Sequence, residues 1–185
     1  MKTASDTYIG SSLYAARRAA DVAAVLRNTD RHDSATLIER LKMTLASYGE
    51  LDPHVLPSEL DEFINVADKI YRVFAAQTIE EVARELNELF KQYAHAPRLT
   101  MHNGTPWHLH VDASDHMPWA EWFGASSAHA LATLLAEKQR KPGGLCAEPC
   151  GRPFIDLGKG GGRSYCSPKC ATRARVAVYR SKLKA

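Results

Sequence analysis

The sequence predicts a mainly α-helical chain with a small β-hairpin, closed by a separate C-terminal module built on four cysteines. Three observations carry that prediction. Apolar residues recur at helical spacing in five stretches before residue 138. A short run around Asn103-Gly104 alternates with period two instead, which is the pattern of a hairpin. All four cysteines fall within the last forty residues, as C-x3-C, fifteen intervening residues and a second C-x3-C.

Length and composition set the frame. At 185 residues and 45% hydrophobic, the chain can hold one ordinary domain with a sizeable core plus a small module. No apolar run approaches the roughly 18 residues of a membrane span, so no membrane partner is expected. The net charge of +3 says little, but its distribution says more. From Lys138 onward twelve Lys and Arg face only Glu148 and Asp156, a local charge of +10 that leaves −7 on the first 137 residues. An acidic body with a basic tail points to a polyanionic partner for the tail. The division expected is a helical body over residues 1–137, a linker over 138–145 ending in Pro142-Gly143-Gly144, and the module over 146–185.

The elements follow in order. Residues 6–28 space Ile9, Leu13, Ala16, Ala20, Ala23 and Leu26 for a helix. Ser34 is the expected N-cap of a second helix that buries Leu37, Ile38, Leu41 and Leu45 and stops at Gly49. Ser58-Glu59-Leu60-Asp61 has the form of a capping box before the stripe Leu60, Phe63, Ile64, Ala67, Ile70, Tyr71 and Phe74. Thr78-Ile79-Glu80-Glu81 repeats that form before Val82, Leu86, Leu89, Phe90 and Tyr93, and Pro97 closes the segment. The hairpin pairs 98–102 with 107–111, and Pro106 favours a loop longer than the minimal turn. Pro118 then introduces a fifth helix through Trp119, Trp122, Phe123, Leu131 and Leu134.

In the module, two closely spaced thiol pairs are what a tetrahedral four-cysteine zinc site needs: Cys146, Cys150, Cys166 and Cys170, holding one structural Zn2+. The competing reading is two disulfides, as in small secreted domains. The polar opening Met1–Asp6, with no apolar stretch behind it, argues against a secretory signal and for a cytoplasmic chain. Between the pairs, Gly151–Leu157 reads as a strand, the glycines of 158–162 as a turn and Arg163-Ser164-Tyr165 as the returning strand. Ser167-Pro168 reads as an N-cap with proline at the first helical position, opening a helix that runs to about Leu183. A cysteine turn, a hairpin and two cysteines at a helix start is the order of a treble clef. With four cysteines filling the metal and all eight histidines lying before the module, no water-activating position remains, so no enzyme is expected.

The basic residues Arg152, Lys159, Arg163, Lys169, Arg173, Arg175, Arg180 and Lys182 are the candidate nucleic-acid contacts, Arg being suited to bidentate bonds with phosphate and guanine. The alternatives are RNA instead of DNA, or an acidic protein docked on the same helix. In the body, His108 and His110 project from one strand face with Asp112 just beyond. They read as the polar face of a half-buried sheet, as a metal pair, or with His102 as the lining of a small-molecule pocket.

The module resembles the CGNR zinc-finger family on Cys146, Cys150, Phe154, Asp156, Arg163, Tyr165, Cys166, Ser167, Cys170 and Arg173. The signature departs at Cys170-Ala171-Thr172-Arg173, where Gly-Asn is replaced, and Gly158 replaces the serine that follows the F-x-D strand. Residues 58–137 are similar to the second half of the ABATE domain that precedes this finger in the family, through Pro97-Arg98-Leu99 and Trp107-His108-Leu109-His110. The resemblance implies a bacterial, stress-related transcription regulator, nucleoid-associated, whose finger binds DNA and whose N-terminal domain senses a ligand or carries a homodimer.

Overall fold

In the computed structural model, the described residues are 12–50, 53, 55–101, 106–114, 116–147, 149–158 and 162–182. The expectations for residues 6–11 with Ile9, for His102, the Asn103-Gly104 turn, Lys159 and Leu183 lie outside them.

Five helices make the body: α1 (Ser12–Asn28), α2 (Ser34–Ser47), α3 (Leu60–Ala75), α4 (Ile79–Tyr93) and α5 (Trp119–Lys138). The central helix is α1, which packs against α2, α3 and α5. Its buried face is Ala16, Ala19, Ala20, Val22, Ala23, Ala24 and Leu26, and the small alanines let neighbouring backbones come close. On α3 the buried stripe is Leu60, Phe63, Val66, Ala67, Ile70, Val73 and Phe74, with Val66 and Val73 in place of the predicted Ile64 and Tyr71, which are half-buried. Phe63 meets Phe123 of α5 with ring centroids 5.9 Å apart. On α4 Val82, Leu86, Leu89 and Tyr93 are buried, as the period implies. Gly124 in α5 marks a close helix crossing: a Cβ there would stand 2.7 Å from Cγ of Tyr93.

Helix starts follow local hydrogen-bond chemistry, in places differently from the sequence expectation. Thr78 and Glu81 form the predicted capping box on α4. The cap of α2 is Asp33, whose carboxylate accepts from Thr36 N–H at 3.0 Å, and Ser34 is already helical. At α3, Pro57–Glu59 form a 3₁₀ turn and the Ser58 box is not made. Glu59 acts instead, accepting from Leu56 N–H and, with its other oxygen, from Trp119 N–H at the start of α5. A single carboxylate thus serves two helix N-termini, where the dipole favours it. Pro118 is the residue before α5 rather than within its first turn.

The body hairpin pairs β1 (Arg98–Thr100) with β2 (His108–His110), antiparallel, in register Arg98↔His110, Leu99↔Leu109 and Thr100↔His108. The segment expected as a linker is structured. Lys138 closes α5, Gln139 takes a left-handed cap at φ 51, and β3 (Gly143–Leu145) pairs antiparallel with β4 (Pro153–Ile155). The strand predicted over Gly151–Leu157 forms over 153–155 and finds its partner before the first cysteine pair, and the predicted return over Arg163–Tyr165 is not its partner. The reason is packing. β3 and β4 lie on α1 and α3, with Leu145 and Ile155 against the body core, which a hairpin reaching forward would leave in water. Arg152 to Asp21 at 2.9 Å, Tyr71 OH to Gly151 C=O at 3.4 Å and Lys141 to Ala76 C=O at 3.1 Å complete the joint. The last element among the described residues is α6 (Pro168–Lys182).

Candidate metal centre and nucleic-acid interface

Cys146 directly follows β3, Cys150 closes a tight turn, and Cys166 and Cys170 bracket the start of α6. The turn is held by Cys146 N–H to Arg152 C=O at 2.8 Å and Gly151 N–H to Cys146 C=O at 3.1 Å, with Gly151 at φ +62, a conformation that favours glycine. Ala147 N–H donates to Ser164 C=O at 2.8 Å, tying the two cysteine-bearing segments together. Ser167 Oγ accepts from Cys170 N–H at 3.2 Å, the predicted cap with Pro168 at the first helical position.

The four sulfurs all lie within 4.8 Å of one another, Cys150 to Cys166 at 3.8 Å and Cys166 to Cys170 at 3.7 Å. A tetrahedral ion with Zn–S bonds of about 2.3 Å has sulfur–sulfur edges of about 3.8 Å, whereas a disulfide needs about 2.05 Å. The donor set therefore fits one zinc, and all four cysteines are free thiols. Without the metal, burial pushes the Cys146 thiol up to about 12 and also raises Cys166, while hydrogen bonds from Ser167 and Cys166 bring Cys170 down to about 7. Zinc binding must displace these protons, so affinity grows with pH. Around the ligands, Cys166 N–H points at Cys146 Sγ at 3.2 Å, and the positive end of α6 faces the thiolates. Asp156 accepts from Gly158 N–H at 2.9 Å and Arg163 N–H at 3.2 Å. Burial raises its pKa, but these donors outweigh that and the net shift is downward.

The basic residues separate into two sets. Arg152 turns to the body and pairs with Asp21, and Arg163 donates to the carbonyls of Tyr165 and Cys166 at 3.3 Å, bracing the second cysteine turn. Lys169, Arg173, Arg175, Arg180 and Lys182 all stand exposed on α6. At 100° per residue Lys169, Arg173 and Arg180 fall on one stripe, with Arg175 and Lys182 on another beside Tyr179. No residue of α6 is buried, and Val176, Val178 and Tyr179 are 42%, 55% and 64% exposed. Ala171 and Thr172 continue the helix, and Thr172 Oγ1 accepts from Arg175 at 3.2 Å.

The histidines of the body hairpin are tied into a chain. His108 Nδ1 lies 2.8 Å from the Pro106 carbonyl, His108 Nε2 2.9 Å from His110 Nε2, and His110 Nδ1 2.8 Å from Asp112 Oδ2. Arg98 completes it at 2.7 Å from the other Asp112 oxygen. The Pro106 carbonyl and the Asp112 carboxylate only accept, so in these two contacts the imidazole nitrogen is the donor. For buried Asp112, desolvation raises the pKa, while the bonds from His110 and Arg98 outweigh it and hold the carboxyl below its ordinary value. This polar face is turned inward, with the Asp112 side chain 5% exposed, while Leu99, Met101, Trp107 and Leu109 face water. The hairpin thus turns its polar face toward the body and its apolar face to water, anchored by the Arg98–Asp112–His110 bonds. Among the described residues, the one group of three or more His, Cys, Asp or Glu with converging ligand atoms is the cysteine cluster.

A four-thiolate site that positions the first turn of a terminal helix defines the module as a structural zinc finger. Residues 144–182 match the family model of the CGNR zinc finger, so the C-terminal module is a finger of that family. The match begins within β3, ahead of the first cysteine, and ends with α6. No curated protein matches the chain significantly.

Proposed function

We propose that this protein is a DNA-binding transcription regulator in which zinc acts as a fastener that presents α6 to duplex DNA. The observation that carries this reading is the state of α6: fifteen residues anchored at the metal, none buried, with five exposed Lys and Arg. A helix of that length spans about 22 Å, and the major groove of B-DNA admits an α-helix. The major groove of A-form RNA is too deep and narrow for side chains to read, which favours DNA over RNA. The metal supplies no chemistry of its own, since four thiolates fill its coordination sphere. Arg152 and Arg163 serve the architecture of the finger, and the contacts to phosphate and base fall to α6.

The test is fluorescence anisotropy of the zinc-loaded full chain on duplex DNA, with Arg173→Glu/Arg180→Glu as the comparison. Loss of binding in the double variant, with an unchanged zinc content, supports the reading. Binding that survives it would move the interface elsewhere, and a preference for structured RNA would replace DNA as the target.

A further inference from the structure

The body hairpin carries an apolar surface that is exposed among the described residues. Side-chain alternation places Leu99 and Met101 of one strand segment, and Trp107 and Leu109 of the other, on the outer face of the β1–β2 sheet. Leu99 lies directly opposite Leu109, and the four are 69%, 57%, 68% and 42% exposed in that order. Together they hold on the order of 500 Å² of apolar surface in water, the upper end of what a monomer leaves exposed in one patch.

The geometry points to a second copy of this chain as the occupant, seated face to face on this tile about a two-fold axis. Two arguments single out a copy. Two tiles stacked on each other would remove about 1,000 Å² from water, the apolar centre of a small two-fold interface, and the rim supplies the remainder of the roughly 1,200–2,000 Å² that a stable pair buries. Charge is the second. The first 137 residues carry −7, so two bodies repel over most of their surface. Between Glu88 and Asp112, however, there is no carboxylate at all, while Lys91 and Arg98 lie in that stretch. Here alone along the body is there so long a segment without a carboxylate, so the acidic repulsion of the two bodies is weakest here. The polar face beneath is already bonded through Arg98, His110 and Asp112, so the tile cannot turn inward without breaking those bonds.

The experiment is sedimentation velocity of the zinc-loaded full chain over a micromolar concentration series, with no nucleic acid present, so its outcome is independent of the DNA reading. A species of twice the 20.5 kDa chain mass is expected, with Trp107 emission moving to the blue as it forms and that shift absent in Trp107→Phe. Leu99→Glu/Leu109→Glu should weaken association roughly thirtyfold or more, with a melting temperature matching the wild type because both side chains already face water. Should that pair of substitutions disturb folding, Met101→Lys at the edge of the tile gives the same reading. A wild type that stays monomeric throughout overturns the proposal, as does a dimer indifferent to these variants. A monomer that floats with zwitterionic phospholipid vesicles, and no longer does so as Leu99→Glu/Leu109→Glu, would make the tile a membrane contact and equally overturn it.

Discussion

Stripping the zinc, with a chelator or through Cys166→Ser, should melt α6 while leaving the body folded. The magnitude follows from what each part buries. All fifteen residues of α6 are outside the core, and an isolated helix of about that length is marginal in water. Among the described residues, the one large apolar side chain buried within the finger is Phe154, 7% exposed, worth about 2–3 kcal/mol. Zinc binding in comparable small fingers supplies about 10–16 kcal/mol, so the metal dominates the stability of the module. Every member of the main buried core lies between Ala16 and Leu134, and of the finger only Leu145 and Ile155 in the β3–β4 hairpin pack against it, so the loss of α6 removes none of its contacts. The expected change is a loss of about one sixth of the helical signal, the share contributed by α6, with a cooperative thermal transition retained. Far-UV circular dichroism during a chelator titration, followed by a melt, measures both. Helicity unchanged by full metal loss would refute the fastener argument, and collapse of the body in the same step would refute the independence of the two parts.

Other outcomes follow from particular contacts. Gly124→Ala drives a Cβ into the Tyr93 ring, which is held in place by its bond to Glu62 at 2.7 Å. The clash should cost about 1–3 kcal/mol in urea unfolding, more than the roughly 1 kcal/mol gained in helix propensity. Arg18, buried on α1, is bound by Glu50 and by Ser126 at 2.9 Å and lies 4.2 Å from the Trp122 ring. Glu50→Ala leaves that guanidinium buried without its counter-ion and should cost about 3–5 kcal/mol, read as a shift in the urea midpoint. Asp112 has a folded-state pKa held below the ordinary aspartate value, so the stability it contributes is full above about pH 4 and is lost as pH falls toward the lower folded value. Asp112→Asn should therefore flatten that part of the acid limb in stability measured against pH.

Where one residue type at one spacing determines the outcome, the sequence was readable. The thiol pairs, the Thr78–Glu81 box and the Ser167-Pro168 start of α6 all appear as their local chemistry implies. Features set by distant partners were not readable. The pairing of β4 with β3 depends on the surface that α1 and α3 offer, and no local pattern encodes it. Arg152 carries the same charge as Arg173, and only the position of Asp21 turns it to the body. Arg98 and Asp112 are fourteen positions apart and meet because the hairpin register brings them together. The inward polar face follows from that bond, and the period-two pattern alone does not say which side of a sheet meets the core.

The central claim, that zinc presents α6 to duplex DNA, is tested most directly by binding affinity against salt concentration for the zinc-loaded chain. Five exposed cations on α6 set the scale: a log–log slope of about −4 is expected, with binding abolished by chelation. A slope near zero, or affinity that survives removal of the metal, would contradict it.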